Sequence, residues 1–184
     1  MEARQLVGRA LAIDEQVFGR HHPSVFKGLN NLALLLRATD CHAEAEPLMR
    51  RGLTIVKQAK GADHPEVAVI RSNLASVLVK LGRLGEAEEQ SKLAIEIMTT
   101  SHGDRHINIA AFRSVLCRIL RAQKRNEEAV IQITEAIHIL NDFECKNGHP
   151  FQLAGIIETN FRETLAECGY SDREIEPKLR GESE

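Results

Sequence analysis

Tryptophan is absent, tyrosine occurs once, and aromatic residues make up 4% of a 184-residue chain. So few large rings argue against sandwiches and barrels; an apolar fraction of 43%, rich in Leu, Ile and Ala, is still enough for a continuous helical core. Neither sign of charge dominates. A net charge of −2 and a pI near 6.5 give no global basic field for a nucleic-acid backbone, so nucleic acid is not an expected partner. No apolar run approaches the roughly 20 residues that cross a bilayer. The opening MEARQLVGRA carries an acidic residue at position 2 and no continuous apolar segment, so it does not read as a signal peptide. A cytoplasmic protein with no membrane partner is expected. The four cysteines, Cys41, Cys117, Cys145 and Cys168, lie far apart without a C-x-x-C, which signals neither zinc nor a redox pair. Cys117 occupies a slot held by Ala33 and Ala75 in other copies of a repeat, and reads as a small core residue.

That repeat is what the sequence has in abundance. His22 recurs as His64 and His106, Gly19 as Gly61 and Gly103, and the pair Glu44-Ala45 as Glu86-Ala87 and Glu128-Ala129, all at an offset of 42 residues. A fixed period of this length implies stacked supersecondary units, an all-α solenoid. Each unit reads as two helices. In residues 64–105, Pro65 suits a first helical turn, and Val67, Ile70, Leu74, Val77, Leu78 and Leu81 recur at spacings of three and four up to Gly82. A turn from Gly82 to Gly85 then leads to a second helix carrying Ala87, Leu93, Ala94, Ile97 and Met98.

The resulting division is a single array over residues 2–180. It comprises a half repeat (2–21), three repeats (22–63, 64–105, 106–148), a degenerate C-terminal repeat or cap (149–180) and a tail (181–184). Asp40 stands where Gly82 stands, so the first full unit is expected to turn differently. Cys145 to Gly148 read as a loop that delays the next copy by one residue. In the last unit Thr159-Asn160-Phe161 matches Ser72-Asn73-Leu74, and Ser171 with Glu174 has the form of a capping box. Residues 2–18 match a second helix whose first helix is missing. An apolar half unit at the edge is expected either to be cut from a longer array, the favoured reading, or to be covered by a partner such as a second copy of the chain.

The motifs Leu74-Ala75-x-x-Leu78-x-x-x-Gly82, then Ala87, Ser91 and Ala94, resemble the tetratricopeptide repeat. HEAT and armadillo units have comparable periods but lack this spacing. His22-Pro23-Ser24-Val25, Leu29-Asn30-Asn31-Leu32-Ala33 and Glu44-Ala45-Glu46-Pro47-Leu48 resemble the longer repeats of kinesin light chains. The resemblance implies a right-handed superhelical solenoid of antiparallel helix pairs, in which the first helices line a concave groove for extended peptides. Ser72-Asn73 and Ser114-Val115 replace Asn30-Asn31, so an asparagine ladder of the kinesin-light-chain kind is only partly present.

On that expectation, Lys27, Asn30 and Arg37 of the first full unit, Ser72, Asn73, Ser76 and Lys80 of the second, and Ser114, Arg118 and Arg121 of the third are the candidate partner-binding residues. No Asp or Glu falls among the groove-facing positions of these three helices. An acidic or carboxylate-ended peptide would be steered to such a surface and gripped by arginine. The plainer alternative is a solvated charged face. His21, His22, His64, His102, His106 and His149 fall in or beside the inter-repeat turns. Recurrence as repeat punctuation accounts for them better than metal binding, so no metal and no cofactor are expected. Ser72, Ser114 and Cys117 have no His within one or two turns, and there is no phosphate loop or carboxylate pair, so no enzyme is expected. The series Glu2, Glu44, Glu86 and Glu128 opens the second helices, where negative charge favours the dipole. A protein-interaction scaffold leads. A self-association segment and a regulatory domain of a larger protein remain as alternatives.

Overall fold

The computed structural model describes residues 2–181. Met1 and residues 182–184, most of the expected tail, lie outside the described residues, as does the side chain of Glu2. Among the described residues the chain is all helical: α1 (Glu2–Phe18), α2 (Val25–Ala38), α3 (His42–Lys60), α4 (Pro65–Lys80), α5 (Leu84–His102), α6 (Ile107–Ala122), α7 (Asn126–Asn147), α8 (Ala154–Glu167) and α9 (Asp172–Leu179). Helices of 14 to 22 residues follow one another from α1 to α8, with the 8-residue α9 last, and each connection is short. Two compact units, Met1–Gln90 and Ser91–Glu184, meet within α5.

Helix starts are set by the recurring histidines. His64 accepts the Glu66 N–H on Nδ1 at 3.2 Å and His106 accepts the Asn108 N–H at 3.3 Å, each filling the place of an N-cap oxygen. His22 accepts from the Ser24 N–H at 3.2 Å in the same way. His149 does not. Its Nδ1 lies against the Pro150 carbonyl oxygen, and α8 begins only at Ala154, so the His-Pro pair that should open the last unit sits outside the helix.

The turn within each pair repeats more faithfully than its residues do. Asp40, Gly82, Lys124 and Gly169 all have positive φ, from 57° to 89°. The following N–H bonds back to the carbonyl of Leu36, Leu78, Leu120 and Leu165 respectively, at 2.8–3.1 Å. The expectation of a different turn at Asp40 is therefore corrected. Packing of the two flanking helices imposes the left-handed conformation whether or not glycine is present, and Asp tolerates it better than Lys. The expected loop at Cys145–Gly148 is corrected too. Nothing in Cys145-Lys146-Asn147 breaks a helix, so α7 runs on to Asn147 and stops at Gly148, with φ 70°.

In the first unit α2 buries Val25, Leu29, Ala33 and Leu36, at spacings of four, four and three. Val25 and Leu29 join Leu11 of α1 and Ile55 of α3 in one cluster with Phe26, Leu32 and Leu48 beside it. Gly52 lets α3 approach α2: a Cβ there would lie 3.4 Å from the Phe26 ring. In the second unit Ile109, Phe112, Leu116, Cys117 and Leu120 of α6 are buried, as are Ile133, Ile137 and Leu140 of α7 and Ile157, Phe161 and Leu165 of α8. Ser171 and Glu174 close the capping box of α9, whose Ile175 is buried.

Candidate functional site

The candidate residues sit on first helices, and the next first helix of the same unit decides what each can offer. In the first unit Lys27 of α2 and Lys80 of α4 are exposed. Asn30 and Asn73 are half-buried, and Arg37 of α2 donates to Asn73 Oδ1 of α4 at 2.9 Å. Ser76 turns its hydroxyl back to the Ser72 carbonyl at 3.2 Å, and Ser72 itself is buried. Ser72 is thus a packing residue, which corrects its place among surface groups.

In the second unit α8 lies along α6 and reaches several of its side chains. Asn160 Nδ2 donates to Ser114 Oγ at 2.6 Å, with Ser114 and Asn160 both buried. The Cys117 thiol is buried, lies 3.2 Å from the Thr164 hydroxyl and has its pKa pushed up by that burial, as a core group would. Arg121 is clasped by two carboxylates. Its Nε and Nη2 donate to Glu167 at 3.0 and 2.5 Å, and its Nη1 donates to Glu163 at 3.0 Å. These bonds, those to Glu167 first, raise the guanidinium pKa and lower that of Glu167. Ser114 and Arg121 are therefore corrected from open contacts to groups held within the fold. The expectation of a surface without acids covers three first helices; the fourth brings Glu163 and Glu167, in the slots of Ser76 and Lys80.

Arg118 has the opposite fate. One turn before Arg121, it is half-buried, and among the described residues no hydrogen bond or ion pair to a carboxylate holds it. Burial pulls its pKa down, and Arg121 acts in the same direction against Cys117 and Glu163. It opens, with Arg121, Ala122, Lys124 and Glu167, onto a shallow recess. The recess thus carries three cations, Arg118, Arg121 and Lys124, and one carboxylate, Glu167, which is paired with Arg121.

The periodic glutamates also have partners beyond the helix dipole. Glu44 pairs with Arg4, Glu86 with Arg50 and Arg83, and Glu128 with Arg125 at 2.6 Å. Among the described residues no three of His, Cys, Asp and Glu gather as a metal site. All four cysteines are free. No described helix is long and apolar enough to cross a membrane.

A model of the family described as tetratricopeptide repeat matches residues 24–100 and again 66–142. A search of curated protein sequences finds no match. Among solved structures the chain is similar to the putative kinesin light chain nearly identical TPR-like repeats of Podosopora anserina. Identity there is 22% and the TM-score 0.74, over 98% of this chain and 85% of that one. It is also similar to BtubC (BKLC) from P. vanneervenii, at 17% identity and a TM-score of 0.61, over 95% and 76%. At these identities the likeness is one of fold.

Proposed function

Because the chain belongs to the tetratricopeptide repeat family, whose repeats generally mediate protein–protein interaction, we propose that it is a non-catalytic scaffold that binds an extended acidic or carboxylate-ended peptide on its first helices. Arg118 carries this reading. A half-buried guanidinium without a carboxylate partner has already lost part of its hydration, so an incoming carboxylate recovers charge pairing at a small further desolvation cost. Arg121 lies one turn further along α6, held by Glu163 and Glu167. Lys124 adds long-range attraction from the rim of the recess. In the first unit, taken by itself, the exposed Lys27 and Lys80 and the half-buried Asn30, Asn73, Ser76 and Arg37 support the same reading with cations and neutral hydrogen-bonding groups.

The test is a titration of short peptides ending in Asp or Glu against the intact chain and its Arg118→Glu variant. Charge reversal of a half-buried contact should weaken binding about 100-fold or more, with the thermal melt unchanged. Equal affinity for both proteins overturns the reading. Peptides that bind only when the carboxylate is amidated overturn it as well.

A further inference from the structure

α9 is fixed to its unit along one side. Ile175 is buried, Glu176 pairs with Arg162 of α8, and Asn141 of α7 donates to the Leu179 carbonyl at 3.0 Å. Another face of the helix, Arg173, Glu174, Pro177 and Lys178, stands off from α7. It confronts the α7 stripe Val130, Thr134 and His138 across a recess of about 370 Å³, floored by the buried Phe161 and Leu165 of α8. The exposed Ile156 of α8 is not among the walls, so the recess does not depend on what adjoins that side of the helix. No residue assigned above to peptide binding lines it either.

Size selects the kind of occupant. One turn of α-helix with its side chains, about 10 Å across and 5.4 Å high, already fills about 420 Å³, whereas small-molecule sites begin at about 300 Å³. Charge selects its sign. Glu174 is engaged in the α9 cap, accepting from the Ser171 N–H at 2.8 Å and from the Ser171 hydroxyl at 2.6 Å. Among the described residues no carboxylate forms an ion pair with Arg173 or Lys178, and the Lys178 ammonium lies 5.9 Å from the centroid of the Tyr170 ring. Thr54 and Thr159 turn their hydroxyls back to the carbonyl four residues earlier, but the half-buried Thr134 has no hydrogen bond from its hydroxyl among the described residues.

We propose that this recess binds a small organic carboxylate with an apolar body. The carboxylate lies between the Arg173 guanidinium and the Thr134 hydroxyl, and the body rests on Phe161, Leu165 and Val130. An open guanidinium and an unused hydroxyl donor match the two oxygens of one carboxylate. The buried apolar floor favours an aliphatic or aromatic body, and Lys178 adds attraction from the rim.

Calorimetric titration of the intact chain with octanoate tests this, with octanol and octylamine as the same body in neutral and cationic form. Saturable octanoate binding with a Kd of about 1 mM or tighter is expected, at least about ten-fold tighter than for either comparator. Arg173→Gln, at an exposed position, should weaken it about ten-fold with the thermal melt unchanged, and Val130→Phe should weaken it by occupying the space. Arg180→Gln, at an exposed cation of α9 outside the recess, should leave binding unchanged, as should Arg118→Glu. No saturation by about 10 mM octanoate, equal affinity for octanol, or an equal loss with Arg180→Gln overturns the proposal. A loss with Arg118→Glu would place the ligand in the α6 recess and overturns it too.

Discussion

Arg37 and Arg121 stand two periods apart in the same slot of their repeats, but the α2–α4 face and the α6–α8 face use them differently. Arg37 reaches a neutral amide on the next first helix, whereas Arg121 is closed between two carboxylates. Likewise Ser76 satisfies itself on its own helix, while Ser114 is held from the next one by Asn160. The difference lies in what the following helix brings. In α6 the next first helix pairs Arg121 with two carboxylates and leaves Arg118 without one among the described residues.

Breaking the α6–α8 face at its anchor should have the largest effect. Phe161 is fully buried on α8, so Phe161→Ala should cost about 3–5 kcal/mol in urea unfolding. If the cost is near zero, α8 does not depend on this core and the contrast between the two faces fails. Deleting the amides sharpens the same contrast: Asn160→Ala should cost about 1–3 kcal/mol because Ser114 is left buried without its donor. Asn73→Ala, at a half-buried site, should cost about 1 kcal/mol or less. Equal losses would mean that the α2–α4 contact is as closed as its counterpart.

The left-handed turns offer a smaller comparison. Lys124→Gly should raise stability by about 0.5–1 kcal/mol, and Asp40→Gly by less, since Asp adopts positive φ more readily than Lys. A loss at Lys124 would show that its side chain contributes more than its backbone strain costs. Smallest is a pH effect at the start of α6. Burial, then the neighbouring His102 ring at 4.7 Å, holds the His106 pKa below its ordinary value, and the neutral ring caps Asn108 N–H. A base with a depressed folded pKa stabilises above its unfolded value, about 6.5, and loses that contribution as pH falls through the folded one. The melting temperature should therefore drop slightly as pH falls below about 6.5, and His106→Asn, which caps without titrating, should flatten that slope.

The helices and their pairing were legible because 42-residue recurrence reports both packing and punctuation: buried Leu and Ile at threes and fours, with histidine at the caps. Turn conformation at Asp40 and Lys124 was not, because the flanking helices impose it on residues that do not prefer it. Continuation of α7 to Asn147 escaped because a shift in repeat spacing looks the same whether the extra residue is loop or helix. Half of the site chemistry was hidden for a different reason. Glu163, Glu167 and Asn160 belong to the irregular last unit, where inserted residues break the period, and they determine which α6 side chains remain open. Matching Asn160-Phe161 to Asn73-Leu74 carries the signal that finds them.

The central claim is that Arg118 meets a carboxylate, and a charge exchange tests it most directly. The affinity of the Arg118→Glu chain should recover at least part of its loss when the acidic positions of the peptide are replaced by lysine, while the unaltered chain should reject that lysine peptide. Failure of the exchanged pair to bind better than the two mismatched pairs would contradict the account.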